Sequence, residues 1–174
     1  IGDFPENWTD DNIQLNDLSP YIYPNKKILD KNNIRAFYFS YFFKWSMFEN
    51  YQYVKNNLSE FKENPFGRTE GTFTNFDSLD DQIDDLYYYM QYIKFGFGRA
   101  TRDASRLIQN NHIKRPDAVK MVQKYDGEFP KRNIEKVIRF LGISELELDE
   151  VINKHRNLEI WKKKQNNWEL KNKL

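Results

Sequence analysis

The sequence predicts a mainly α fold, a multi-helix lobe with at most a short aromatic strand, and three observations predict it. Apolar residues recur at i, i+3, i+4, i+7 spacing in six segments between residues 47 and 155. Serine or proline opens several of these segments, and glycine follows several of them. With 39% apolar and 17% aromatic residues, the 174-residue chain has enough material for a core.

Residues 1–33 are rich in Asn, Asp, Pro and Lys with little periodicity, and read as an irregular arm or linker. The run IRAFYFSYFFKW, 34–45, has the length and the β-formers of a buried strand. Ser46 and Glu49 have the spacing of a capping box, and Phe48, Tyr51, Val54, Leu58 and Phe61 then predict a helix over 47–62. Pro65, Gly67 and Gly71 make 63–77 a structured loop. Ser78 is the expected cap of the next helix. Leu79, Ile83, Leu86, Tyr87, Met90 and Ile93 share its apolar arc, opposite Asp80, Asp81, Asp84 and Asp85.

After GFG at 96–98, a helix over 99–110 turns Ala100, Ala104, Leu107 and Ile108 inward. Three short helices follow. Pro116 opens one that Gly127 stops, Pro130 opens one that Gly142 stops, and Ser144 with Glu147 makes a capping box before Leu148, Val151, Ile152 and His155. The Lys/Asn-rich end from Lys162 frays unless Trp161 and Trp168 anchor it. The expected organisation is therefore an arm over 1–33, an aromatic-rich helical substrate lobe over 34–112 and a small three-helix subdomain over 113–174.

The absence of cysteine excludes a disulfide framework, a cysteine-ligated metal and a thiol nucleophile within these residues. Two histidines with no acid and nucleophile at matching spacing give neither a hydrolytic triad nor a histidine zinc site. His155 continues an apolar register, and His112 sits at a helix end where it can complement the dipole. No apolar run reaches the ~18 residues of a membrane span, so no membrane insertion is expected, and the expected location is the cytoplasm. The first residue is Ile, which points to a piece of a longer polypeptide. Residues 1–85 carry 8 Lys/Arg against 15 Asp/Glu, and residues 86–174 carry 19 against 11. The basic half suits phosphate-bearing ligands or an acidic partner, or is simply a solvated face.

Three places can carry chemistry. RTEG, Arg68 to Gly71, puts a guanidinium, a hydroxyl, a carboxylate and a pliable backbone within four residues, suited to gripping a polar ligand or to satisfying its own loop. Asp80 and Asp81 are outside candidates for magnesium, or first-turn anions that favour the helix dipole. Gly96 and Gly98 lie at a helix mouth whose N–H groups attract anions, with Arg99, Arg102 and Arg106 beside it, an arrangement for a diphosphate or a solvated arginine stripe. Lys94, at the edge of an apolar arc, either snorkels or meets a partner.

At these segments the sequence resembles the C-terminal half of the N-acetyl sugar amidotransferases, a family of the PP-loop ATP-pyrophosphatase superfamily acting in bacterial surface-polysaccharide biosynthesis. The strings that carry the resemblance are RTEGTFTNFDSLDDQIDDLYYYMQYIKFGFGRATRDAS, KYDGEFPKR, and the LGIS-containing tail closing on HRN and IW, from about residue 68 to 161. The aromatic run matches loosely, with Lys44-Trp45-Ser46 where a Pro-Trp-Asp-like string is expected. The resemblance implies the C-terminal part of a larger α/β enzyme, in which ATP with Mg2+ activates the amide oxygen of a nucleotide-linked N-acetyl sugar. Ammonia from a glutaminase partner then displaces it to leave an acetamidino group. The PP-loop and the family's cysteine segment are not among these residues, so this chain alone is expected to bind neither ATP nor Mg2+, and an N-terminal PP-loop domain is an expected partner. The implied substrate-binding residues are Arg68, Thr69, Glu70, Gly71, Asn75 and Lys94; the phosphate-binding ones are Gly96, Gly98, Arg99 and Arg102. The alternative is a helical interaction or nucleic-acid-binding module, since 116–127 and 130–142 have the lengths of a helix-turn-helix; lysines and acids alternate along these helices, which argues against a nucleic-acid face.

Overall fold

In the computed structural model, residues 4–165 and 167–172 are described, and they fall into two units, Ile1–Trp45 and Ser46–Leu174. In the first, short 3-10 turns (Pro5–Trp8, Ser19–Tyr21, Phe39–Tyr41) flank one helix, α1 (Lys26–Lys31), capped by the Asn25 side chain. None of its described residues is buried. The strand expected over 34–45 does not form, because no second strand faces it. The run turns back on itself instead, with Tyr41 N–H donating to Tyr38 O and Phe42 N–H to Phe39 O, while Phe39 stacks on Phe43 at 4.7 Å.

The second unit holds α2 (Met47–Asn57), α3 (Asp84–Phe95), α4 (Arg99–Gln109), α5 (Arg115–Tyr125), α6 (Ile134–Leu141), α7 (Glu145–His155), and strands β1 (Trp161–Lys164) and β2 (Asn167–Leu170). The fold is mainly α with a small sheet, as the periodicity indicated. Ser46 caps α2 as expected, but the helix ends at Asn57, where the Asn57 side chain takes the Tyr53 carbonyl. Ser78 does not cap α3: it has φ +50°, and the helix begins six residues later at Asp84. Asp80 and Asp81 therefore precede the helix rather than form its first turn. Pro130 is buried but does not open α6, because the Glu70 carboxylate accepts from Arg132 N–H and holds 131–133 outside the helix. The Ser144–Glu147 capping box is present in full.

Two apolar clusters hold the elements. Leu86 and Ile93 of α3 pack with Val137 of α6 and Leu148 and Ile152 of α7, and Phe129, Ile138 and Ile143 close the cluster. Ala104, Ala118 and Val122 let α4 and α5 approach closely, with Phe73 and Ile108 alongside. Tyr87, Val151 and His155, expected on apolar faces, are exposed. The lysine-rich end is ordered over its described residues as the antiparallel pair β1–β2, with Trp161 opposite Leu170. Trp161 is the anchor, since its buried Nε1–H donates to Ile93 O at 2.7 Å. Arg156 lies against both indoles, at 4.8 Å from Trp161 and 5.0 Å from Trp168.

Candidate functional site

The loop between α2 and α3 is folded by its own backbone. Asn64 N–H donates to Asn75 O and Thr69 N–H to Thr74 O, both at 2.9 Å, which turns Thr69, Thr72 and Thr74 inward. Buried hydroxyls need partners. Asp103 of α4 supplies them, accepting from Thr72 Oγ1 at 2.7 Å and Thr74 Oγ1 at 3.0 Å.

The segment 126–132, which carries DGEFPKR, closes on this loop and on the mouth of α4. The Asp126 carboxylate accepts from Gly98 N–H at 2.9 Å, Ala100 N–H at 3.1 Å and Thr101 Oγ1 at 2.6 Å, so the helix mouth already holds an anion. Gly98 is required there, since a Cβ would come within 2.7 Å of Asp126 Oδ1. Gly127, at φ +77°, leaves no room for a Cβ against the Tyr92 ring. Glu128 takes both guanidinium nitrogens of Arg68, at 2.6 and 2.8 Å, together with Gly71 N–H at 2.9 Å. These bonds, Arg68 foremost, hold the Glu128 carboxyl below the ordinary glutamate range. Arg68 also donates to Thr69 O and Thr72 O.

The arginines expected at phosphates face inward. Arg99 has no exposed side-chain surface; its guanidinium pairs with Asp85 at 3.3 Å, donates to Asp77 O and lies over the Tyr88 ring. Arg102 pairs with the Asp77 carboxylate and with Asp103, and Arg106 reaches Asp77 at 3.7 Å. Phosphate contact at Gly98 or Arg99 would require Asp126 or Asp77 to give way. Asp85, placed by the helical wheel toward solvent, is 10% exposed and also accepts from Asn133 Nδ2 at 3.3 Å. Burial pushes its carboxyl above the ordinary aspartate range, against the pull of Asn133 and Arg99.

Arg68, Thr69, Glu70 and Gly71 are therefore brought together with 126–132, while Asn75 is tied to the loop by Asn64 N–H and donates its Nδ2–H to Glu63 at 3.1 Å. Lys94 is not part of this group; it is exposed beside Phe95 and lines a separate hollow with Tyr87, Met90 and Phe97. Asp80 is exposed, and Asp81 Oδ1 accepts from Ile83 N–H at 2.8 Å. Among the described residues, no three His, Asp or Glu stand close enough to hold a metal ion. His112 shares a hydrogen bond with Ser46 at 3.0 Å and packs on Phe48, joining the cap of α2 to the α4–α5 connection.

Beside this framework lies an open cleft of about 300 Å³, lined by Lys62, Asn64, Phe66, Thr69, Gln82 and Arg132 among others. Sequence reasoning singled out Thr69 and Asp81 from it but missed Arg132 and Asn133, as it missed Asp126 and Glu128 in the framework. The available signal was the second family-like string, whose acids Asp126 and Glu128 take hydrogen bonds from the first.

The connection from α5 to α6 runs over 126–133, longer than the three- or four-residue turn of a helix-turn-helix. No described helix is long and apolar enough to cross a membrane. No curated protein matches the chain. A protein-family model, LPS biosynthesis protein WbpG-like, C-terminal domain, matches residues 70–174, which covers DGEFPKR, the β1–β2 pair and RTEG from Glu70 onward. With more than half of its residues inside that match, the chain belongs to the family of WbpG-like C-terminal domains of LPS biosynthesis proteins.

Proposed function

We propose that the chain is the substrate lobe of an ATP-dependent amidotransferase that converts the N-acetyl group of a nucleotide-linked sugar to an acetamidino group for lipopolysaccharide. The observation that carries the reading is the mutual locking of RTEG and DGEFPKR, through Arg68–Glu128 and Glu70–Arg132 N–H, at the edge of one polar cleft. Membership in an LPS biosynthesis family supports it. In this reading Arg68, Glu70 and Gly71 fix the wall of the cleft, Thr69 lines it, and Asn75 steadies it through Glu63. ATP and Mg2+ belong to a PP-loop domain, ammonia comes from a glutaminase partner, and the reaction is cytoplasmic. A bound ATP supplies activation of the amide oxygen; this lobe supplies the sugar nucleotide in a fixed orientation.

Calorimetric titration of the chain with a nucleotide-linked N-acetyl sugar and with duplex DNA, at two salt concentrations, tests the proposal. Saturable sugar-nucleotide binding with negligible DNA affinity is expected. Tight, steeply salt-dependent DNA binding without sugar-nucleotide binding would replace this reading by the helical-module one.

A further inference from the structure

With Arg99 and Arg102 turned inward onto Asp85 and Asp77, and the exposed Arg106 drawn toward Asp77 at 3.7 Å, a negatively charged ligand finds other cations in the RTEG cleft, Lys62 and Arg132. We infer that Arg132 and Lys62 are the phosphate-recognising pair of this cleft, with the Phe66 ring as a platform for the base, so that the ligand class is a nucleoside diphosphate ester. This inference rests on the sugar-nucleotide reading above and names the side chains that deliver it.

The acids of the cleft do not engage both of its cations. Three acids line it: Glu63, Asp81 and Asp85. Two of them are compensated by cations that do not line the cleft, Glu63 by Lys55 at 2.5 Å and Asp85 by Arg99 at 3.3 Å. Lys62 and Arg132 therefore face Asp81 in the lining and Glu70 behind it, so the cleft is close to charge balance and its two cations stand at its open surface. Both side chains are exposed.

Arg132 is also placed for the task. Its backbone N–H is held by Glu70 Oε2 at 2.8 Å, so the framework fixes the origin of the side chain while leaving the guanidinium outside it. The guanidinium lies 5.1 Å from the centre of the Phe66 ring, which is 71% exposed. A planar fork beside an open aromatic face suits a phosphate next to a stacked base. Thr69, Asn64, Gln82 and Asn133 supply hydroxyl and amide groups for ribose or sugar hydroxyls. A volume of about 300 Å³ holds part of such a ligand, which suits a lobe that supplies one wall of a site.

The test is calorimetry on the whole chain, with a nucleoside-diphosphate N-acetylhexosamine, inorganic pyrophosphate, ATP and a phosphate-free nucleoside as probes. Wild type is compared with Arg132→Ala, Arg132→Lys, Lys62→Ala and, as control, Arg139→Ala, an exposed position on α6 that does not line the cleft. Because Glu70 binds a backbone group, Arg132→Ala leaves the lock intact, and its unfolding midpoint should equal that of wild type. The expected result is at least a tenfold loss of affinity for the sugar nucleotide and pyrophosphate in Arg132→Ala. A smaller loss is expected in Arg132→Lys and Lys62→Ala, and none in Arg139→Ala. Wild-type binding that survives Arg132→Ala and Lys62→Ala overturns this inference and leaves the functional reading standing. Wild type that binds no sugar nucleotide overturns both. ATP bound more tightly than the sugar nucleotide, with the same dependence on Arg132, overturns the assignment of the occupant.

Discussion

The α3–α6–α7 bundle and the region around α4 lie in the same unit but are held by opposite means. In the bundle, Leu86, Ile93, Val137, Leu148 and Ile152 exclude water with no charged group among the buried residues of the cluster. Around α4, the buried residues include Arg99, Asp103, Thr69, Thr72 and Thr74, and cohesion comes from pairing Arg99, Asp103, Thr72 and Thr74 across 14 to 31 positions of sequence. An apolar contact tolerates small shifts, whereas a buried charge is stable only while its partner is in place. The charged residues that most resemble a ligand site are thus largely partners of one another, and the side chains left for a ligand are those the network does not use.

The contrast is most easily broken at Arg99. Replacing Arg99 by Ala leaves Asp85 and the Asp77 carbonyl without their cation, and should cost about 3–5 kcal/mol in urea unfolding. In the bundle, Ile152→Ala creates a cavity and should cost about 2–5 kcal/mol by the same measurement. The two differ in response to mixed substitution: Ile152→Val should cost only about 0.5–1.5 kcal/mol, while Arg99→Met, similar in length but uncharged, should remain strongly destabilising.

Smaller effects sharpen the same distinction. Asp126→Ala removes a remote carboxylate that caps α4 and should cost about 1–2 kcal/mol, whereas Ser144→Ala removes a local cap of α7 and should cost about 1 kcal/mol. Acid separates the regions further. Glu128 is held below its ordinary range, so its contribution is present above that range and is lost as pH falls through the lowered value. Unfolding midpoints of wild type should therefore drop on the acid side, and Arg68→Ala should flatten that drop. Asp85 runs the other way: its raised carboxyl costs stability as pH climbs from the ordinary aspartate range through the raised value, and Asp85→Asn should remove that slope.

The bundle was legible in the sequence because periodicity and capping are local. Val137, Leu148 and Ile152 follow from spacing alone, and Ser144 with Glu147 forms the expected box. The network around α4 was not, since nothing near Arg99 in the chain names Asp85 or Asp77 as its partner, and a helix mouth with two glycines reads the same whether it receives a phosphate or Asp126. Two errors share that origin. The wheel put Asp85 in solvent because it ignored α4, and Pro130 looked like a helix start because Glu70 lies 62 positions from Arg132, the residue it restrains. The run at 34–45 failed differently: its residues favour a strand, but strands need partners, and local stacking took their place. The family-like strings marked segments that the fold brings together, while which arginines are paired internally and which stay exposed required the fold.

That division is tested most directly by comparing Arg99→Lys with Arg132→Lys, measuring for each the urea unfolding midpoint and the affinity for a nucleotide-linked N-acetyl sugar. The account predicts that Arg99→Lys lowers the midpoint while its folded fraction binds like wild type, and that Arg132→Lys keeps the midpoint while losing affinity. A variant at Arg99 that unfolds like wild type yet no longer binds, beside an Arg132→Lys that binds normally, would contradict it.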